Sequence, residues 1–184
     1  MYDMLRIIAG KYRSRVLQQP NLKTTRPTLD RVREALFNII QSEINDAIVL
    51  DCFAGSGAFC LEALSRNAKK AIAIEKDKLA YQIIKQNAQS LNETNIEIKL
   101  MDSINYLKTE KELVFDFIYL DPPYKLDIIY QSLELILKNK LLKNNGKIII
   151  ETNFEKQFEM PDGLEVFDQR IYGKTKLIFI KIRK

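Results

Sequence analysis

The chain has 184 residues, a net charge of +5 and no histidine. A chain of this length can form one domain that buries about 70% of its unfolded surface, so neither a disulfide nor a metal is needed to hold it together. The absence of histidine excludes Ser-His-Asp and Cys-His nucleophile activation, histidine bases and histidine-ligated zinc. Any catalysis must therefore use carboxylates, backbone groups, tyrosines, lysines or a cofactor.

Cysteine usage and the N-terminal segment predict a cytoplasmic protein. Cys52 and Cys60 both lie in apolar stretches, which is typical of reduced core thiols. The segment "MYDMLRIIAGKYRSR" has no apolar signal-peptide region, and no window of the chain approaches the length of a membrane span. We expect a soluble protein that has no membrane partner.

Positive charge is concentrated in the first 33 residues, which contain eight Lys or Arg and two Asp. The remaining 151 residues carry a net charge of −1. A basic N-terminal arm on a near-neutral body is typical of a nucleic-acid-binding protein, although a solvated basic face without a partner has the same composition. Four of these side chains are candidates for contacting nucleic acid: Arg6, Lys11, Arg13 and Arg15.

The predicted elements begin with two short β-like runs around Gly10, which indicate a hairpin with arginines on its outer side. An amphipathic helix starting at Thr28 comes next. Short apolar runs then alternate with helical segments, a strand follows Gly146, and two alternating runs about a Gly-Lys turn close the chain. This order predicts right-handed βαβ units, a parallel sheet with helices on both faces, and an antiparallel pair at the end.

A glycine-containing turn follows the first predicted strand. In "LDCFAGSGAF", Asp51 ends the strand, and Gly55 and Gly57 precede a helix whose first N–H groups are free to bind a ligand. Glu75 ends the second strand 24 residues after Asp51, a separation at which an acid can accept both hydroxyls of a ribose. Asp102 and Ser103 follow the third strand. Asp102 suits an adenine amino group, with Ser103 assisting, but it is also a typical helix N-cap.

The same turn argues against an NAD-dependent oxidoreductase. The dehydrogenase fingerprint has a third Gly or Ala where this chain has Cys60. The carboxylate of Asp51 is unsuited to a pyrophosphate but suits an amino group, such as that of the amino-acid end of S-adenosylmethionine. In addition, no residue is recognisable as a hydride-transfer acid.

The fourth predicted strand ends in "FIYLDPPYK", where two prolines stop the β-ladder and stiffen the backbone beyond it. This sequence can be a simple strand-terminating turn. Together with the glycine turn and the spaced acids, it favours a site for an exocyclic amine of a base. The Asp121 carboxylate and the Pro122 carbonyl would each accept one N–H, and Tyr124 would stack on the extruded base. This chemistry requires no metal.

Four segments resemble the bacterial 16S ribosomal RNA guanine-N2 methyltransferase family of the small-subunit methyltransferase D type: "TRPTLDRVREALFN", "LDCFAGSGAFCLEALSRNA", "IEKD" and "LDPPY". The resemblance extends from "RIIAGKYRSRVL" to "YGKTKLIFIKI". It implies a class I, Rossmann-like methyltransferase fold with seven strands and S-adenosylmethionine as the methyl donor. The acceptor would be a guanine of small-subunit ribosomal RNA, within the 30S subunit or a late assembly intermediate.

The resemblance also implies roles for individual residues. It adds Phe53 to the cofactor-binding residues and places Arg26 and Pro27 near the cofactor or the base. Many family members have Phe at the position of Tyr124, so a stacking plane is kept while the hydroxyl is not. Residues 1–24 would be a basic hairpin arm that docks on RNA, and residues 25–184 one methyltransferase domain. Since the chain forms one compact domain, we expect a monomer.

Two further alternatives remain open at the level of the sequence. An adenine-N6 methyltransferase acting on DNA or RNA would use the same Asp-Pro-Pro-Tyr chemistry, although the chain has no extra target-recognition domain. A non-catalytic RNA-binding protein with the same fold is a second alternative. The acids Asp121 and Glu75 argue against it, because such a protein has no physical need for either.

Overall fold

The computed structural model describes residues 4–20, 27–122, 126–153 and 159–183. Within these ranges the chain forms a seven-stranded sheet and five helices. No helix among the described residues is long and apolar enough to cross a membrane. The elements, in chain order, are α1 (Pro27–Ile40), β1 (Ile48–Asp51), α2 (Ala58–Ser65), β2 (Lys70–Glu75), α3 (Lys78–Ser90), β3 (Ile96–Leu100), α4 (Ser103–Thr109), β4 (Phe115–Leu120), α5 (Leu126–Lys138), β5 (Leu142–Asn153), β6 (Leu164–Tyr172) and β7 (Thr175–Ile182).

The strand order is β3-β2-β1-β4-β5-β7-β6. Strands β1 to β5 pair in parallel, and β7 lies antiparallel between β5 and β6. This confirms the expected mixed sheet and its antiparallel final strand. Strand β5 begins before Gly146, earlier than the sequence suggests, because Leu142 already pairs with Phe115 of β4. The order reverses between β1 and β4, which is where open α/β sheets bind their ligands.

Helices cover both faces of the sheet, as expected from the alternation of strands and helices. One core packs α1, α2 and α3 against one face and includes Phe37, Phe59 and Phe117. The other packs α4 and α5 against the opposite face and includes Leu107, Leu133 and Ile150. Cys52 and Cys60 are free and buried, one in each core. Because both faces are covered at the centre of the sheet, β1, β2 and β4 are mostly apolar and buried, whereas the edge strand β6 is largely exposed.

The N-terminal arm, residues 4–20, forms the expected hairpin-like turn and packs on α2 and α3. Arg6 and Val16 form an antiparallel bridge, and apolar side chains of the arm join a small third core with Leu61 of α2. At Gly10 the chain passes so close to α2 that a Cβ would lie 1.9 Å from the Ser65 carbonyl oxygen. Only glycine, at its φ of +83°, allows this contact.

Polar contacts hold the arm to the domain. The buried Glu62 carboxylate of α2 accepts the N–H groups of Ile8 and Ala9 at 2.7 and 3.1 Å and the Nε of Arg66 at 2.8 Å. The buried Asn87 amide of α3 accepts the N–H of Gln18 at 2.8 Å. The same amide donates to the carbonyl of Gln18 at 3.0 Å and to that of Ser56 at 2.9 Å. Asn87 therefore connects the arm directly to the glycine turn.

Candidate active site

A cavity of about 330 Å³ opens beyond the carboxyl ends of β1, β4 and β5, at the reversal of strand order. Its walls come from the arm, α1, the glycine turn and the start of α2. The arm contributes to the same cavity that the strand ends form. The glycine turn contributes Gly55 to the lining. The polar wall includes Arg33, Asp51, Tyr119, Asp121 and Glu151.

Asp51, the last residue of β1, is almost completely buried. One of its oxygens, Oδ1, accepts the N–H of Phe53 at 3.0 Å. Burial, with a smaller contribution from the negative charges of Glu75 and Glu151, raises the pKa of Asp51 to about 7, although the hydrogen bond from Phe53 opposes the shift. A buried carboxylate with one described donor is well suited to bind a cationic amino group, which would restore the interactions lost with water.

Asp121 directly follows β4, and Glu151 occupies the neighbouring position on β5, since Leu120 pairs with Ile150. Ile149 pairs with Tyr119, and Glu151 lies two residues further along β5. Because side chains two residues apart on a strand point to the same face of the sheet, Glu151 shares a face with Tyr119. The Tyr119 hydroxyl donates to Glu151 Oε2 at 2.5 Å, and its ring stacks on Phe59 with centroids 4.4 Å apart. Glu151 is thereby held on the same wall of the cavity as Asp121.

The carboxylates of this cavity influence one another. Asp121 is exposed to the open cavity, yet protein atoms surround it closely enough that desolvation raises its pKa well above the ordinary value. The charges of Glu151 and Asp51 raise that pKa further. Burial also raises the pKa of Glu151, although the Tyr119 hydroxyl and Arg33 both favour its ionised form. Because three acids face a single arginine, the excess of carboxylates makes the cavity attractive to a cation.

Arg33 reaches the cavity from α1 with its guanidinium already held in place. One terminal nitrogen, Nη2, donates to the Asp30 carboxylate at 2.9 Å and to the Arg6 carbonyl at 2.6 Å. The first contact lies within α1 and the second joins α1 to the arm. Arg33 therefore couples the position of the arm to the acidic wall.

The glycine turn lies where the sequence predicts it. Gly55 and Gly57 both have positive φ, of 55° and 78°, which explains why glycine occupies these positions. Gly55 lines the cavity and offers open space where a Cβ would project. Glu75 holds this turn rather than lining the cavity, because its two oxygens accept the N–H groups of Gly55 and Asp77, each at 2.8 Å. Its expected contact with a ribose stays a prediction.

Asp102 and Ser103 also have structural partners. Asp102 caps α4 by accepting the N–H of Asn105 at 3.1 Å, as the capping interpretation predicts. The Ser103 hydroxyl donates to the Cys52 carbonyl and so fastens the chain after β1. Of the predicted cofactor-binding residues, those that line the cavity are Asp51, Phe53 and Gly55; Gly57, Glu75, Asp102 and Ser103 are not among the described lining residues.

Two candidate residues, Tyr124 and Arg26, lie outside the described residues. Pro122 is partly exposed beside Asp121. The remaining basic candidates are all exposed: Arg6, Lys11, Arg13 and Arg15. Two of them already have partners, since Lys11 pairs with Glu93 at 2.9 Å and Arg15 donates to the Ser90 carbonyl at 2.6 Å.

Among the ionisable residues that line the cavity, sequence reasoning missed Arg33, Tyr119 and Glu151. Glu151 had a usable signal, because it follows the apolar run "III" of residues 148–150 just as Asp121 follows "FIYL". Tyr119 and Arg33 had none. Tyr119 lies within a buried apolar strand, and Arg33 lies on a helix that only the tertiary structure brings to the strand ends.

The chain is similar to known proteins along most of its length. The family model described as "Conserved hypothetical protein 95" matches residues 5–181. The ribosomal RNA small subunit methyltransferase D of Haemophilus influenzae is 37% identical over 172 residues, which cover 92% of this chain and 89% of that protein. The corresponding methyltransferase of Escherichia coli K12 is 38% identical over 151 residues, 82% of this chain and 76% of that one.

The fold is shared with solved methyltransferases. The putative methyltransferase yhhF of Escherichia coli superposes with a TM-score of 0.87 at 33% identity, and the match covers 98% of both chains. A more distant putative methyltransferase, solved in complex with SAH, has a TM-score of 0.67 at 20% identity over 93% of this chain and 52% of that one. The expected class I methyltransferase fold is confirmed.

Proposed function

This chain belongs to the ribosomal RNA small subunit methyltransferase D family, and we propose that it transfers a methyl group from S-adenosylmethionine to the exocyclic N2 amine of one guanine in 16S ribosomal RNA. The proposal rests on the cavity itself, in which the glycine turn, buried Asp51 and Asp121 meet at the strand ends. The substrate is 16S RNA in the 30S subunit or a late assembly intermediate, and the enzyme acts in the cytoplasm as a monomer.

The residues present fit S-adenosylmethionine. This cofactor carries an ammonium group and a sulfonium centre, and when bound it supplies an electrophilic methyl group. Asp51 would pair with the ammonium, Phe53 and Gly55 would lie along the ligand, and the acidic walls favour its positive charges. The residues that contact the cofactor would be supported by the glycine turn and by the start of α4. The supporting residues are Gly57, Glu75, Asp102 and Ser103. A pyrophosphate would meet three carboxylates, which argues against a dinucleotide.

Asp121 and Pro122 would orient the target amine. The amine lone pair is delocalised into the ring of the base, so it reacts poorly unless its N–H bonds are held in a fixed direction. The carboxylate of Asp121 and the carbonyl of Pro122 each accept one N–H, and Tyr124 supplies a stacking plane. Desolvation and the neighbouring charges of Glu151 and Asp51 raise the pKa of Asp121, which makes its ionised carboxylate a stronger acceptor for the amine.

The arm would dock the RNA. Phosphates would be contacted by its exposed basic side chains, Arg6, Lys11, Arg13 and Arg15, together with Arg26. Leu5, Gln19 and Pro20 of the same arm line the cavity. Docking on the arm therefore brings the RNA to the mouth of the site.

The test is methylation of three substrates with labelled S-adenosylmethionine: undermodified 30S particles, naked 16S RNA and duplex DNA. We expect label at a single guanine of 16S RNA, mapped by digestion and mass spectrometry. Label on adenine or on DNA would overturn the proposal in favour of an N6 methyltransferase. Absence of transfer to any substrate by a protein that binds the cofactor would favour a non-catalytic RNA-binding role.

A further inference from the structure

We propose that Glu151 selects guanine by accepting its N1–H while Asp121 and Pro122 hold the neighbouring N2 amine. This inference rests on the proposed function and assigns to the same site the residue that distinguishes guanine from adenine. It concerns an acid on β5, outside the Asp-Pro-Pro-Tyr sequence.

Glu151 lies beside Asp121 at the carboxyl ends of adjacent strands. Strand β5 is the neighbour of β4, and the pair Leu120–Ile150 immediately precedes Asp121 and Glu151. Neighbouring strands lie about 4.8 Å apart, so a base edge held by Asp121 extends alongside Glu151. Both side chains line the same cavity.

The carboxylate of Glu151 is fixed on one side and available on the other. Oε2 accepts the Tyr119 hydroxyl at 2.5 Å, while Oε1 accepts no hydrogen bond among those formed by the described residues. The stacking of Tyr119 on Phe59 immobilises the hydroxyl that holds Glu151. The result is a preorganised acceptor at the wall of the cavity.

Guanine and adenine differ in the edge that they present to two neighbouring acceptors. Guanine offers two adjacent donors, N1–H and the N2 amine, so it matches both. Adenine presents its N6 amine beside N1, which is an acceptor and would face the Glu151 carboxylate without a proton between them. Enzymes that act on extruded bases read them through this edge. A carboxylate on N1–H also pushes electron density into the ring and makes the N2 amine more nucleophilic.

The test uses RNA in which the mapped target guanosine is replaced by 2-aminopurine, which keeps the 2-amine but has an acceptor at N1. We compare single-turnover methylation and RNA affinity for the two RNAs in the wild type and in Glu151→Gln. The amide retains the shape of the side chain and adds a donor for the acceptor N1. We expect the guanine to 2-aminopurine ratio of rates to fall by about tenfold or more, with a fall in the affinity ratio in the same direction.

Two variants make the result specific. Glu165→Gln on β6 removes a partly exposed acid that pairs with Lys181 at 3.2 Å, and it should leave both ratios unchanged. Tyr119→Phe removes the hydroxyl that positions Glu151, and it should lower the ratio less than Glu151→Gln does. It provides a second measurement if Glu151→Gln folds poorly.

The outcomes separate the two proposals. If the wild type methylates guanine but Glu151→Gln changes both substrates by the same factor, Glu151 is merely structural and the inference is wrong. If the wild type methylates adenine instead of guanine, the proposed function fails, and the inference fails with it.

Discussion

Two buried carboxylates of this protein differ in how completely the fold satisfies them. Glu62, under the arm, accepts three hydrogen bonds and lies 3.8 Å from the Nε of Arg33. Asp51, at the cavity, accepts one hydrogen bond from the described residues, and its pKa is raised to about 7. A saturated acid holds structure together, whereas an acid that the fold leaves short of donors is prepared for a ligand.

The largest effect should come from the cavity side of this comparison. Asp121→Ala should lower single-turnover methyl transfer by at least about 100-fold, because the amine loses its charged acceptor. Cofactor affinity, measured by calorimetry, should remain within a few-fold of wild type. Retained activity in this variant would contradict the proposed orientation of the amine.

Substitution of Glu62, the buried acid under the arm, should change the stability of the fold. Glu62→Ala should lower the free energy of unfolding by about 3–5 kcal/mol, because Arg33, Arg66 and two backbone N–H groups lose a buried partner. Urea denaturation measures the change. Glu43→Ala is the control, since it removes an exposed acid from its pair with the partly buried Lys147 and should cost about 1 kcal/mol or less. Equal effects of the two variants would show that the network under the arm is weak.

The substitution Asp51→Asn should raise the free energy of unfolding, whereas Glu62→Ala lowers it. The folded pKa of about 7 lies above the ordinary 3.8, so the folded state binds the proton more tightly and stability falls as pH rises through this interval. Removing the acid should raise the free energy of unfolding by about 2–4 kcal/mol at pH 8 and change it little near pH 4. Urea denaturation at the two pH values measures the difference, and an equal change at both would contradict the raised pKa.

The pH dependence of cofactor affinity also tests the raised pKa of Asp51. Wild-type affinity for S-adenosylmethionine should weaken as pH falls below about 7, because protonated Asp51 cannot pair with the ammonium. Asp51→Asn should bind at least about tenfold more weakly at pH 8 and lose this pH dependence. Calorimetry across pH 6 to 8 measures both. A pH-independent wild type would show that Asp51 does not hold the amino group.

The smallest effect should come from the outer side of the arm. Arg13→Ala and Arg15→Ala together should reduce the slope of log affinity against log salt for 16S RNA by about 1 to 2, because two phosphate contacts are lost. Arg15 should contribute less, as it already donates to the Ser90 carbonyl. An unchanged slope would mean that the outer face of the arm contacts solvent and not RNA. The arm would then act only through its inner face, which packs on the domain.

The sequence by itself determined the order of the elements, the covered parallel sheet and the acids at the ends of β1 and β4. Local patterns suffice for these features, because apolar runs, glycine turns and prolines each restrict the backbone nearby. Asp51, Gly55 and Asp121 were identified in this way. The capping role of Asp102 was also visible, because capping depends on adjacent residues alone.

Only the tertiary structure decided which groups share an environment. The hydrogen bond between Tyr119 and Glu151 joins residues 32 positions apart in the sequence. The hydrogen bonds of Glu62 with the arm join residues more than 50 positions apart. Burial and desolvation depend on the whole set of packed elements, so the raised pKa of Asp51 has no local signature. The difference between a saturated acid and a prepared one is therefore a property of the fold, not of the residue.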